Sequence, residues 1–173
     1  NGHEPVQRRG EEVTDDAIAW LNKLGKDDAF LAFVHYYDPH AAYEAPNDFQ
    51  TTGDAYDDEL SYVDSQIKRL MGWLESTRRD SDTIVVIIAD HGESLGEHGE
   101  PTHGALIYQS TQHVPWIITM PDAKWAGLKI SERVQQVDFM PTMLSLYDIA
   151  QPSTASGRSL LPLLDGESFG ERA

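Results

Sequence analysis

Apolar residues fall along this chain in two different rhythms. Residues 84–89, Ile-Val-Val-Ile-Ile-Ala, form a short unbroken run rich in β-branched side chains, the pattern of a strand buried on both faces. Residues 29–36 (Ala-Phe-Leu-Ala-Phe-Val-His-Tyr) and 114–120 (Val-Pro-Trp-Ile-Ile-Thr-Met) predict two further strands, and residues 130–137 an edge segment. The other rhythm is helical. Tyr56, Leu60, Val63, Ile67, Leu70 and Leu74 recur at alternating spacings of four and three, predicting an amphipathic helix over residues 54–79 with this stripe against the core. Ile18, Leu21 and Leu24 mark a shorter helix, with Thr14-Asp15-Asp16 as its cap and Gly25 as its stop. Pro141 opens a third helix over residues 142–147, and residues 160–164 pack back on the body. Strands alternating with helices predict an α/β fold: a mostly parallel sheet flanked by helices, in a single domain over residues 1–173. Residues 1–10 read as a loose entry segment.

Two of the predicted strands end in polar clusters. The run at 84–89 stops at Asp90-His91-Gly92, and Glu93, Glu97, His98, Glu100 and His103 follow within fourteen positions of Asp90. The run at 29–36 ends in Tyr37-Asp38-Pro39-His40. In open α/β sheets ligands bind beyond the carboxyl ends of strands, so chemistry is expected at both places. Adjacent carboxylate and imidazole form a ligand pair for a divalent metal, and Asp90 and His91 are the candidate metal ligands. Glu93, Glu97, His98 and Glu100 read as loop structure or support for those ligands. Among the remaining histidines, His35 reads as a core residue with a backbone partner, His113 as structural or exposed, and His3 as part of the loose end.

The charge narrows the partners. Asp and Glu total 29 against 13 Lys and Arg, a net charge of −16. This excludes a nucleic-acid or anionic-membrane surface, since both need cationic neutralisation. Adaptation to high salt would accommodate the self-repulsion. No apolar run approaches the roughly 20 residues of a membrane span, so no membrane segment is expected in this chain. With no cysteine, there is neither a disulfide nor a thiol nucleophile, and the compartment stays open.

Four blocks taken together carry a resemblance. Residues 33–40 (Phe-Val-His-Tyr-Tyr-Asp-Pro-His), 56–64 (Tyr-Asp-Asp-Glu-Leu-Ser-Tyr-Val-Asp), 90–99 (Asp-His-Gly-Glu-Ser-Leu-Gly-Glu-His-Gly) and 137–144 (Val-Asp-Phe-Met-Pro-Thr-Met-Leu) resemble, in order, successive blocks of the sulfatases. These belong to the alkaline phosphatase-like superfamily. Residues 157–164 (Gly-Arg-Ser-Leu-Leu-Pro-Leu-Leu) are similar to the segment that follows them. The resemblance implies a metal-dependent sulfuric ester hydrolase of which this chain is the C-terminal portion of the catalytic domain. It implies metal ligation by Asp90 and His91, and catalytic roles for His40 on the ester group or leaving oxygen and for His103, standing where the family has Lys or His, on the same oxyanion. The implied metal is Ca for a sulfatase and Mn or Zn for a phosphoryl enzyme. The implied substrate is a small-molecule or carbohydrate sulfate or phosphate ester.

The family nucleophile, a Cys or Ser in Cys/Ser-x-Pro-x-Arg converted to formylglycine, has no counterpart here. Ser94 and Thr102 lack its context. Formylglycine is therefore expected only outside this chain, and the chain alone is expected to be inactive. Two alternatives follow: a phosphoryl hydrolase or phosphoethanolamine-type transferase of the same superfamily, and a non-catalytic binding module that lost the nucleophile. A partial sheet would also expose an apolar edge, which favours a homodimer.

Overall fold

The computed structural model describes residues 8–170; His3 and the entry segment before residue 8 lie outside the described residues. The chain forms two compact units, Asn1–Thr83 and Ile84–Ala173. In the first, helix α1 spans Gly10–Leu21 and helix α2 spans Ala55–Thr77. In the second, strand β1 (Val85–Ile88) is followed by the one-turn helix α3 (Gln109–Gln112), strand β2 (Trp116–Thr119), helix α4 (Phe139–Leu146) and the one-turn helix α5 (Leu161–Leu164).

Helix α1 starts four residues before the expected cap. Arg9 precedes it and offers no side-chain cap; the N–H of Glu11 donates instead to the hydroxyl of Tyr62, at 2.8 Å, on α2. Thr14 is buried inside the helix, where its Oγ1 donates to the Gly10 carbonyl at 2.8 Å and lies 2.9 Å from the Tyr36 hydroxyl. A cap supplied from 51 positions away carries no local signal, which is why Thr14 looked like the start. A Cβ on Gly10 would sit 3.3–3.4 Å from Tyr36, Tyr62 and Gln66, so glycine lets the first turn come close to α2.

Helix α2 matches its predicted span. Asp54 caps it, Oδ1 accepting from the N–H groups of Tyr56 at 2.9 Å and Asp57 at 3.2 Å. Arg78 ends it in the left-handed region at φ 60°. Its buried face differs from the predicted stripe. Asp58, Glu59, Tyr62 and Gln66 are buried with Leu74, whereas Leu60 is exposed. The covering segment brings hydrogen-bond donors rather than an apolar surface. Asp58 Oδ1 accepts from the N–H groups of Thr51 and Thr52 at 3.0 and 2.9 Å and from the Thr52 hydroxyl at 2.8 Å. Those bonds hold its carboxyl below the ordinary carboxylate range, the Thr52 N–H contributing most.

Residues 29–36 do not pair as a strand among the described residues. One face of this run is partly covered at Phe30, Val34 and Tyr36, while Leu31 and Phe33 on the other are 94% and 90% exposed. The alternation is that of a strand, but no neighbouring strand supplies a ladder.

In the second unit β1 and β2 pair antiparallel, Val85 opposite Thr119 and Ile88 opposite Trp116. The α/β class holds, but these strands make an antiparallel pair instead of the mostly parallel sheet expected. A parallel neighbour needs a crossover about a dozen residues or longer, usually helical. The link between β1 and β2 is long enough, but it holds only the 3-10 turn Glu97–Gly99 and the four-residue α3, no helix long enough to cross the sheet face, and it turns back beside β1. The edge segment expected over residues 130–137 ends in a short 3-10 turn, Gln136–Asp138, and α4 begins directly after it, with Pro141 in its first turn. Asp138 is 0% exposed. Its Oδ2 accepts from Gln135 N–H at 2.9 Å and its Oδ1 from Arg158 N–H at 3.0 Å. Its carbonyl takes the Thr142 hydroxyl at 2.6 Å, and that hydroxyl accepts from Leu160 N–H at 3.0 Å. One carboxylate thus ties the turn before α4 to the chain leading into α5. No helix among the described residues is long and apolar enough to cross a membrane.

Candidate active site

The loop after β1 holds three of the four residues singled out in the sequence. Gln136 fixes its first turn, Nε2 donating to the carbonyls of Ala89 and Asp90 at 2.7 Å each. Asp90 Oδ1 accepts from the N–H of His91 at 3.0 Å, and Asp90 Oδ2 lies 3.7 Å from His91 Nε2. His91 Nδ1 is 3.0 Å from the Gly92 carbonyl. A carbonyl only accepts, so Nδ1 carries the proton, and Nε2 offers its lone pair on the side of the Asp90 carboxylate. Both side chains are accessible to solvent. Gly92 is required where it stands. Its N–H donates to the Thr111 carbonyl at 2.9 Å, and a Cβ would lie 2.1 Å from the Ser110 carbonyl oxygen.

His103 is brought to the same place. Its ring centroid lies 4.0 Å from that of His91. Its Nδ1 is 3.2 and 3.3 Å from the two oxygens of Glu93, whose side chain is nearly buried. An ionised carboxylate only accepts, so Glu93 fixes the His103 tautomer and ring direction, turning Nε2 away from itself. The other loop residues are scaffolding, as expected. The buried Glu100 carboxylate accepts from the N–H groups of Ala105 at 2.6 Å and Leu106 at 3.1 Å. His98 stacks on Tyr108 at 3.7 Å, and Glu97 begins the short 3-10 turn Glu97–Gly99 that carries His98. Ser94 is buried, its hydroxyl 3.2 Å from that of Ser110.

His40 belongs to the first unit. It follows the extended run 29–36, half-buried, with Nδ1 2.7 Å from the Ala41 carbonyl and its ring stacked on Tyr37 at 4.4 Å. His35 is exposed beside Phe33, ring centroids 6.3 Å apart, and is not the core histidine expected. Its side chain alternates to the uncovered face of the run. His113 is exposed.

Asp90 and His91 offer one oxygen and one nitrogen donor, a pair suited to a divalent ion. Among the described residues, however, no group of three or more His, Asp or Glu is arranged to hold a metal. The donor chemistry fits, but two donors complete neither a tetrahedral nor a seven-coordinate shell. Two further features went unnoticed in the sequence. Gln136 lay in a segment read as edge strand, and nothing local marks it as reaching across to the site. The pairing of Glu93 with His103 joins residues ten apart across a loop with no periodicity to report it.

A family model for sulfatases matches residues 7–149. The chain belongs to the sulfatase family. It is 39% identical over 105 residues to an N-acetylglucosamine-6-O-sulfatase of Bacteroides thetaiotaomicron, covering 61% of this chain and 19% of that one. It is 32% identical over 214 residues to the sulfatase YidJ of Escherichia coli K12, covering 93% and 42%. Among solved structures it is similar to a protein in complex with its substrate D-glucosamine-2-N,6-O-disulfate, with a TM-score of 0.77 at 20% identity, covering 93% of this chain and 53% of that one. A phosphonate monoester hydrolase from Silicibacter pomeroyi gives 0.76 at 23%, covering 96% and 44%. These likenesses show an alkaline phosphatase-like fold. The sulfatase-family chain spans less than half the length of these two curated relatives.

Proposed function

We propose that this chain is the C-terminal portion of a sulfatase catalytic domain, contributing half of a divalent-metal site through Asp90 and His91 and two catalytic histidines, His40 and His103, to sulfuric ester hydrolysis. The observation that carries this reading is the juxtaposition of His91 and His103, ring to ring at 4.0 Å beside Asp90, with a backbone carbonyl and a nearly buried carboxylate setting their tautomers. A loop that was merely solvated has no need of two oriented imidazoles.

The roles follow from the chemistry. Asp90 Oδ2 and His91 Nε2 are the donors that would hold the ion, which when bound polarises the ester oxygens. His103, when protonated on both nitrogens, would present Nε2–H to an equatorial oxygen as charge develops, with Glu93 holding Nδ1–H and keeping the ring aimed. His40 would bind the ester group or protonate the leaving oxygen, a role carried over from its Asp-Pro-His block. The nucleophile is absent from the sequence: no cysteine occurs, and no serine stands in the formylglycine pattern. The relatives named for N-acetylglucosamine-6-O-sulfate and hexuronate-2-O-sulfate support a sulfated carbohydrate as the substrate class. The second reading, a phosphoryl or phosphonyl hydrolase, draws on His103 in place of the lysine and on the fold likeness to the phosphonate hydrolase.

Calorimetric titration of the purified chain with Ca, Mn and Zn tests the half-site. Binding weaker than roughly 10⁻⁴ M is expected, since affinity falls with the number and charge of the ligands supplied, and should disappear in Asp90→Ala/His91→Ala. Equal binding by that double variant would remove the assignment. Aryl sulfate hydrolysis by the chain alone would overturn the claim that its site is incomplete.

A further inference from the structure

The first unit contains a half-open cavity of about 370 Å³ that the chemistry above does not use, lined by Tyr43, Ala45, Gln50, Gly53, Ala55 and Asp58. It is built from the loop that carries His40, with Tyr43 three positions further on, and from the first turn of α2. Asp58 is 5% exposed. Its Oδ1 is taken up by the Thr51 and Thr52 donors, but its Oδ2 accepts no hydrogen bond. That oxygen is not sealed from solvent, as Asp38 Oδ2 and Glu59 Oε2 are, so it opens on the cavity that Asp58 lines.

The other walls suit the same guest. Gln50 donates Nε2 to the Ala45 carbonyl at 2.8 Å, which leaves its Oε1 as a second acceptor. The Tyr43 ring stands edge-to-face against Tyr56, centroids 5.4 Å apart, and the methyl groups of Ala45 and Ala55 complete an apolar wall. A largely buried acceptor without a partner keeps a desolvation cost that a bound donor relieves. The guest must therefore bring hydrogen-bond donors on one edge and carbon–hydrogen surface elsewhere. The Asp58 carboxylate repels an anion, and Asp54 and Asp57 in the same turn of α2 add to that field. A bare metal ion would leave the apolar wall unused and find one carboxylate where it needs several oxygen ligands. Among the described residues no three side chains are grouped to hold one.

We propose that this cavity binds one uncharged sugar ring, whose hydroxyls donate to Asp58 Oδ2 and Gln50 Oε1 while its carbon–hydrogen face lies against Tyr43. The volume stands at the small end of ligand pockets, room for a single ring rather than an oligosaccharide. That the ring belongs to the substrate, as an unsulfated residue beside the sulfated one, rests on the sulfatase reading above; the sugar contact itself does not. In support, the donors to Asp58, the Thr52 N–H first, hold its carboxyl below the ordinary carboxylate range, so the floor of the cavity remains an acceptor at neutral pH.

The experiment is an NMR titration of the labelled full chain with N-acetylglucosamine and with methyl glucoside, both unsulfated. It follows the Asp58 carboxyl carbon, the Gln50 side-chain amide and the Tyr43 ring. Dissociation constants in the millimolar range are expected, as suits a small ligand in a half-open cavity. Ala55 is an exposed residue at the start of α2, so Ala55→Leu keeps a good helix former there while filling the cavity. That variant should weaken sugar binding by at least about tenfold and leave the rest of the spectrum as it was. Gln50→Ala, which removes one acceptor, should weaken it several-fold. Silence of all three signals at about 100 mM sugar, far above a millimolar constant, would overturn the proposal. So would sugar binding by Ala55→Leu as tight as the parent's. The same signals answering inorganic sulfate, methylammonium or Ca²⁺ but not sugar would also overturn it, since an ion would then be the occupant. None of these outcomes depends on metal binding at Asp90 and His91 or on ester hydrolysis, so this proposal and the sulfatase reading fail separately.

Discussion

Replacing Asp138 by alanine should be among the most damaging single changes in the second unit. The carboxylate is fully buried and receives two backbone donors, Gln135 N–H at 2.9 Å and Arg158 N–H at 3.0 Å. A hydrogen bond to a charged group contributes about 1.5–3 kcal/mol, and a buried donor left without an acceptor keeps its desolvation penalty, so two such losses come to about 3–6 kcal/mol. For a chain of this size that is on the order of 10 °C in melting temperature. Asp138→Asn separates the electrostatic part from the steric one. Its single amide oxygen can satisfy one donor, but its NH2 must then face the other, so we expect roughly half the loss. The assay is a urea melt together with amide hydrogen exchange. The Arg158 N–H should lose protection in Asp138→Ala before the β1–β2 amides do, because only the tie between the turn before α4 and the approach to α5 has been cut. A melting temperature within about 2 °C of the parent, well under the shift worked from these bonds, with Arg158 still protected, would refute the assignment of this carboxylate as the clamp.

Gly92→Ala should displace the loop carrying Asp90 and His91, since the new Cβ would fall 2.1 Å from the Ser110 carbonyl oxygen; the readout is a shift of the His91 and His103 ring NMR signals, and unchanged signals would contradict the close approach. Asp58 is held below its ordinary range by the Thr52 and Thr51 donors, so its contribution is present above the unfolded pKa and lost as pH falls through the folded one. Asp58→Asn should therefore flatten the acid limb of the melting curve, and an unaltered limb would count against that network.

How far the local pattern carries depends on what each contact asks of the chain. The run at 84–89 announced β1 by its unbroken β-branched content, although β1 is only partly covered, with Ile88 exposed, rather than buried on both faces; the abrupt change at Asp90-His91 marked its polar end. Asp54 and α2 were equally plain, since a capping carboxylate and its N–H partners lie within three positions of each other. The face α2 buries was not. Hydrophobic periodicity counted Leu60 inward, yet the covering segment brings N–H groups to Asp58 and Glu59, and a polar side chain that finds its donors buries as readily as an apolar one. The same holds for the start of α1, capped by Tyr62, and for Gln136 reaching the two carbonyls beside the site. These contacts join residues from 6 to 51 positions apart through a specific donor and acceptor, and leave no mark on the spacing of apolar positions. Residues 29–36 show the reverse case. Their alternation has the form of a strand, but a strand is a relation between two segments, and this run has no partner among the described residues. Leu31 and Phe33 thus stand nearly bare on a backbone whose pattern was made for burial.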